Sequence, residues 1–378
     1  MFSRSFFIVV EETETPTPGG TSYQASLLVE DPDITTYSAN SLTESLDLLQ
    51  QLGPGKCVVF TQQEGHLNAT YKSWALRCLA LGAVIIEKNV FGVPSRFRPR
   101  HPRYLMALMT PGSVARFKIR SLGALLRCPQ HYLLRPNRLR SITFAPNTEG
   151  VHGKYRLLRI GRPDARKWTH FEVSLAERMV ELVDVDQVEL SLVGAPVELL
   201  PIETTHADLT IRCSSYSPDA IDFYGLNDIY LHYSKIGETY GNTLAEAQAS
   251  GVFVVFVAEP DWDCSPVWFL DPQQSITCTR EWALGNAEHI RRRSDLWSCF
   301  YRNSEATHDV SNAYACLTDP LVLKDSSALI SMLGLRESVR VLSEELQLIE
   351  GKPSLRRVFL AELRRGIWWR IRSWRYRN

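Results

Sequence analysis

Acid is missing from a long part of this chain. From Lys88 to Thr148 there is no aspartate or glutamate, while lysine and arginine recur throughout. The stretch from Arg356 to Arg377 is nearly as poor, with eight arginines against Glu362 alone. The whole chain nevertheless balances 42 Lys and Arg with 42 Asp and Glu, so the remainder is acidic. Charge segregated in this way marks a surface for an anionic partner rather than a feature of fold. Long apolar runs are missing too. The purest, Val252–Ala258, is strand-sized, far short of the roughly 20 residues that a membrane-spanning helix needs. The eight cysteines include no Cys-x-x-Cys pair and no Cys/His spacing suited to zinc, so reduced thiols in a cytoplasmic protein are expected. Met1–Glu12 turns acidic too soon for a secretory signal and reads as a first strand.

What is present describes a globular protein of 378 residues, 44% hydrophobic and 22% charged, a length that suggests two domains. After the first strand, Gly19-Gly20 precedes a helix expected from about Thr21 to Val29, and a glycine pair there lets backbone approach a ligand. Ser41–Leu52 then reads as helix, Cys57–Thr61 as strand, Ala69–Leu81 as helix and Ala83–Glu87 as strand. Such alternation argues for a parallel sheet covered by helices, whose ligands sit beyond the carboxyl ends of strands. The loops there carry His66 and Asn89. Ser95–Arg103 interleaves basic and aromatic residues, but no nucleic-acid-binding motif accompanies it, so no nucleic-acid partner is expected. A contact with membrane phosphates or an anionic acceptor is the preferred reading.

Thr143–Gly153, rich in Pro, Asn, Gly and His, reads as an interdomain linker. Beyond it come a strand at Tyr155–Ile160, a helix at Phe171–Val183 and a strand at Val188–Val193. Asp184-Val-Asp186 follows the helix rather than a strand and reads as a solvated helix end, so no metal site is expected. The densest signal spans Asp228–Val257. Ile229–Tyr233 and Val252–Val257 read as strands, and Leu244–Ala249 is strongly helix-forming, with Asn242 as N-cap and Gly251 as C-terminal stop. Past Pro260 the sequence reads as mostly helical, including Ser326–Leu333, Leu335–Leu348 and an amphipathic Arg/Trp tail. That tail fits either an interfacial membrane anchor or a helix packed on the N-terminal domain.

Ser234, Glu238-Thr-Tyr-Gly-Asn-Thr-Leu-Ala-Glu246-Ala247 and Gly251, with seven residues between the two glutamates, together resemble the nucleotide-sugar motif of family 4 (group 1) glycosyltransferases. Gly161-Arg-Pro-Asp-Ala-Arg-Lys167 is similar to the phosphate-binding segment of the same family. The resemblance implies a GT-B fold: two Rossmann-like α/β domains facing each other across a cleft, with the C-terminal helices crossing back to the N-terminal domain. The expected limits are 1–150 for the acceptor side, 151–335 for the nucleotide-sugar side, and 336–378 for the crossover helix and basic tail. The resemblance further implies a hexosyltransferase-like enzyme that transfers a sugar from a UDP- or GDP-linked donor, retaining and metal-independent, with no cofactor beyond that donor. Arg162 and Lys167 would bind the diphosphate, with Arg166 as an alternative. Glu238 would join them in catalysis, and Gly20, Tyr240, Gly241, Asn242, Thr243 and Glu246 would complete the donor site. Asn89 stands where many members place a histidine near the transferred sugar, with His66 as a rival. The acceptor would be a glycan or a lipid-linked molecule at the inner face of an anionic membrane, in polysaccharide or glycolipid synthesis. A nucleotide-sugar or glycan binder without turnover, or a GT-B sugar-nucleotide epimerase, is the alternative. The phosphate cations and both glutamates together favour transfer.

Overall fold

The computed structural model describes residues 6–10, 35–39, 41–54, 56–61, 69–88, 99, 101, 103–107, 110–121, 154–165, 167–182, 187–196, 206–215, 221–235, 237–238, 241–259, 261–262, 264–268, 270–303 and 335–375. The chain divides into two compact units. One comprises Met1–Arg140, Ala315–Leu342 and Phe359–Asn378; the other comprises Ser141–Tyr314 and Ser343–Val358.

The first unit is built on β1 (Phe6–Val10), β2 (Thr35–Ala39), β3 (Cys57–Thr61), β4 (Val84–Lys88) and β5 (Tyr104–Ala107). They form one parallel sheet in the order β2-β1-β3-β4-β5. Parallel strands need crossovers, which here include α1 (Leu42–Leu52) and α2 (Ala69–Ala80). Ser41 caps α1 by accepting from the Glu44 amide, and Leu46 and Leu49 turn inward onto Val58, Ile85, Tyr71 and Trp74. α3 (Pro111–Arg120) starts at the Thr110 cap and is buried from Gly112 to Arg120.

In the second unit β6 (Lys154–Ile160), β7 (Gln187–Val193), β8 (Leu209–Ser214), β9 (Ile229–Tyr233), β10 (Phe253–Val257) and β11 (Ser275–Cys278) form a parallel sheet ordered β11-β10-β9-β6-β7-β8. α4 (Phe171–Leu182), the short α5 (Ile221–Tyr224), α6 (Asn242–Ala249), α7 (Arg280–Gly285) and α8 (Ala287–Asn303) accompany it. Every residue of β9 and β10 is buried, which is why β10 reads in sequence as an unbroken apolar run and β9 is interrupted only by His232. Past Pro260 the described residues are mostly helical, as expected, and β11 is a strand that the sequence reading missed. The helices expected at Thr21–Val29 and Ser326–Leu333 lie outside the described residues.

Near the C-terminus come α9 (Leu335–Gln347) and α10 (Leu355–Arg375). From Phe359 onward α10 is part of the first unit, and it is fastened there by Glu362. That carboxylate is fully buried and paired with Arg116 and Arg365, each at 2.8 Å, and with Arg120. Burial acts to raise its pKa, but the charges of Arg120 and Arg116 bring it down to about 2. At Gly366 the helix meets α3 so closely that a Cβ would overlap the Arg120 carbonyl oxygen. Part of the basic surface expected between Lys88 and Thr148 is thereby corrected. Arg116, Lys118 and Arg120 are interior residues, and two of them neutralise Glu362.

Candidate functional site

The strand order of the second sheet reverses between β6 and β9, and in open α/β sheets such a point opens a crevice at the carboxyl ends of the strands. Leu157 pairs with Ile229 and Leu158 with Tyr230, so the loops leaving the two strands emerge side by side. Gly161 starts the first loop against the Trp168 ring, where a Cβ would lie 3.3 Å from a ring carbon. Trp168 closes the loop by donating its indole N–H to the Arg162 carbonyl at 2.7 Å. Lys167 is thus turned toward the second loop, and its Nζ lies 3.3 Å from Oε2 of Glu238. The Arg162 guanidinium bonds to no other described residue.

α6 begins directly beyond Glu238. Asn242, expected as the N-cap, is instead its first residue, and Gly241 occupies the cap in the left-handed conformation (φ 73°) without a side-chain hydrogen bond. Glycine is required there twice over: by its backbone angle, and because a Cβ would lie 2.7 Å from Leu244 Cδ1 and 3.0 Å from Glu238 Cγ. A helix start that no side chain caps keeps its first amides and its positive dipole end for an anion. One turn on, Glu246 Oε2 accepts the Tyr224 hydroxyl at 3.1 Å, and the same hydroxyl lies 3.2 Å from the Thr243 carbonyl.

Behind these residues lies a buried polar chain. Arg159, near the end of β6, faces Glu172 of α4, with Nε 3.3 Å from Oε1. Its Nη1 donates to the Ile160 carbonyl at 2.7 Å and to Nδ1 of His232 at 2.9 Å, while Nη2 reaches the carbonyls of Tyr233 and Lys167. Nε2 of His232 faces Glu238 Oε2 at 3.5 Å, too long and poorly aligned for a good hydrogen bond. Burial, and then the Arg159 charge, push the imidazole down to about 4. Burial acts to raise the Glu238 carboxyl, but Lys167, followed by His232, holds it well below the usual carboxylate range. Lys167 and Glu238 therefore stand as a fixed cation and anion at the crevice, beside an uncapped helix start.

No protein-family model matches the chain, and no curated protein matches its sequence. Solved structures do match. Anabaena Alr3699/HepE, crystallised with UDP and glucose, superposes with a TM-score of 0.57 over 86% of this chain and 100% of its own, at 11% identity. The N-terminal domain of Candida albicans trehalose-6-phosphate phosphatase gives 0.54 over 87% and 96%, at 10% identity. A glycosyltransferase from Rickettsia africae gives 0.50 over 91% and 99%, at 12% identity. The fold is GT-B.

Within this GT-B chain, Lys167, Glu238, Gly241 and Thr243 come together where β6 and β9 end, with Glu246 joined to them through Tyr224 and Thr243. Arg162 stands on the same loop as Lys167. Asn242 contributes the first residue of α6, but its side chain lies outside what is described. Gly20, Asn89 and Tyr240, together with the alternatives His66 and Arg166, also lie outside the described residues. Sequence reasoning passed over His232, Arg159 and Glu172. The available signal was their type: a histidine and an arginine near the ends of buried strands, and a glutamate on the apolar face of a helix.

Proposed function

We propose that the protein is a glycosyltransferase that moves a sugar from a UDP- or GDP-linked donor to a glycan or lipid-linked acceptor. The observation that carries this reading is the Lys167–Glu238 pair set beside the uncapped start of α6 at the strand-order reversal. Rickettsia africae glycosyltransferase has a similar fold, and Alr3699/HepE holds UDP and glucose on one.

In this reading the donor diphosphate sits at the start of α6, opposite Lys167 and Arg162. Glu246 accepts hydroxyls of the ribose, Glu238 accepts a hydroxyl of the sugar, and Tyr240 and Asn242 complete the pocket. Gly20 and Asn89 are the further residues that the family resemblance assigns to the reaction. The acceptor hydroxyl attacks the anomeric carbon, the bond from that carbon to the diphosphate oxygen breaks, and the departing phosphate takes the proton. Charge accumulates on the diphosphate, and cations fixed in advance lower that barrier. The reading takes no metal and retains configuration, because the diphosphate leaves and the hydroxyl enters on the same face of the sugar.

No helix among the described residues is long and apolar enough to cross a membrane. The outer side of α10 nevertheless carries Arg356, Leu360, Arg364, Ile367 and Trp368, all exposed. That mixture suits a peripheral position at the inner face of an anionic membrane, with a lipid-linked acceptor. The donor reading is tested by thermal shift with UDP-glucose, UDP-N-acetylglucosamine, GDP-mannose, UDP and GDP. A ligand that binds the native state raises the melting temperature. No shift with any of the five would overturn it.

A further inference from the structure

Five ionisable side chains run in contact through the second unit: Glu172, Arg159, His232, Glu238 and Lys167. The donor reading uses only the last two. Burying a guanidinium and an imidazole behind them is costly, and the other residues of β9 are Ile229, Tyr230, Leu231 and Tyr233. The contacts indicate what that cost supports. Arginine has no acceptor, so the 2.9 Å contact makes Nδ1 of His232 the acceptor and leaves the ring proton on Nε2. That nitrogen faces Oε2 of Glu238, the oxygen that Lys167 also holds. Among the described residues nothing bonds to Oε1 of Glu238. Arg159 meanwhile ties together the carbonyls of Ile160, Lys167 and Tyr233, which lie at the ends of the two strands and in the loop between them.

We infer that His232 is a positioning residue for Glu238. Held at Nδ1 by Arg159, it directs its Nε2–H at Oε2, so that Oε1 is the oxygen offered to a hydroxyl of the donor's sugar. The inference rests on the donor reading above. At 3.5 Å the approach is longer than a made hydrogen bond, and bonds of this kind often shorten when a substrate binds.

Two measurements test it on the full chain. The first is ¹⁵N NMR of histidine-labelled protein at neutral pH, with His232 assigned by comparison with His232→Phe. The expected signature is an unprotonated Nδ1 and a protonated Nε2, and a proton on Nδ1 would overturn the inference. The second is calorimetry with whichever nucleotide-sugar the thermal-shift panel returns, set against its free nucleotide. His232→Phe should weaken the nucleotide-sugar about tenfold and the nucleotide by less than about twofold, the scale of one hydrogen bond to a charged group. His232→Gln, whose amide N–H can reach the position of Nε2, should restore most of the loss. If the Phe variant does not fold, the comparison passes to Gln against Asn, because the Asn amide sits near Nδ1 and should not restore binding. Equal behaviour of those two, or equal loss of sugar-bearing and free nucleotide, would mean that His232 serves the fold alone. Glu238→Gln separates the two readings. A loss there without a loss at His232→Phe overturns the positioning role and spares the donor reading. No loss there removes the sugar contact assigned to Glu238, and the role of His232 with it.

Discussion

The nearest charged partner of the buried His232 imidazole is a cation: Arg159 Nη1 lies 2.9 Å from Nδ1, whereas Glu238 Oε2 lies 3.5 Å from Nε2. This sets a direction for stability against pH. In the unfolded chain a histidine binds its proton near pH 6.5, but in the fold His232 binds it only at about 4. Between those values the unfolded chain holds the extra proton, so stability falls as pH drops through that window. Below the folded value both states are protonated and the loss stops growing. A fully buried group with this shift should cost about 2–3 kcal/mol by roughly pH 4.5. Urea midpoints across that range should show His232→Phe losing less stability than the parent chain. Parallel profiles would count against the assignment.

Glu362 offers a second test, this time of the fold. Removing one member of a buried ion network costs about 3–5 kcal/mol. Glu362→Ala should therefore lower the unfolding free energy on that scale in urea titration, while Glu337→Ala on the exposed side of α9 should change little.

At the donor site, Glu246→Ala should weaken nucleotide binding by about 1.5–3 kcal/mol, the range for a hydrogen bond to a charged group. Calorimetry with UDP and GDP reads this directly. Unchanged affinity for both would remove the ribose role.

Arg162→Met and Lys167→Met keep most of each apolar stem and delete the charge. Either should reduce turnover roughly a hundredfold, as expected for a group that stabilises charge in the transition state. The lysine variant should also free Glu238, because Lys167 is the main charge holding that carboxylate ionised. Full activity in both would mean that the diphosphate sits elsewhere.

Liposome co-sedimentation tests the outer face of α10. Binding should favour anionic over neutral lipid and weaken with salt. It should also fall in Ile367→Ser/Trp368→Ser, whose target side chains are 51% and 49% exposed, leaving the buried Glu362 in place. Equal sedimentation with both lipids would return α10 to a purely structural role.

Legibility in the sequence followed a strand's place in its sheet. The strands read without a structure (β1, β3, β4, β6, β7, β9 and β10) are all interior to their sheets. The four that were not read (β2, β5, β8 and β11) are the four edges. An edge strand such as Leu209–Ser214 has one face and one side in solvent and carries a mixed sequence, so neither an apolar run nor a clean alternation marks it. Glu238, Glu246 and Lys167 were legible because a motif fixes their spacing. His232, Arg159 and Glu172 were not, because Arg159 lies 13 positions from Glu172 and 73 from His232, and only the fold brings the three together. The arginines of α3 misled for the same reason. Their counter-charge is 246 residues distant for Arg116 and 242 for Arg120.

That same separation constrains how the protein is made. The acid that neutralises Arg116 and Arg120 is the last glutamate in the sequence. During synthesis the first sheet leaves the ribosome long before Glu362 does, so α3 must wait with its guanidinium groups hydrated and its apolar side uncovered. The N-terminal unit therefore cannot finish folding until Glu362 has emerged, although domains generally complete in the order they emerge. The second unit, most of it drawn from one continuous stretch, can close before the carboxylate that completes the first unit is available.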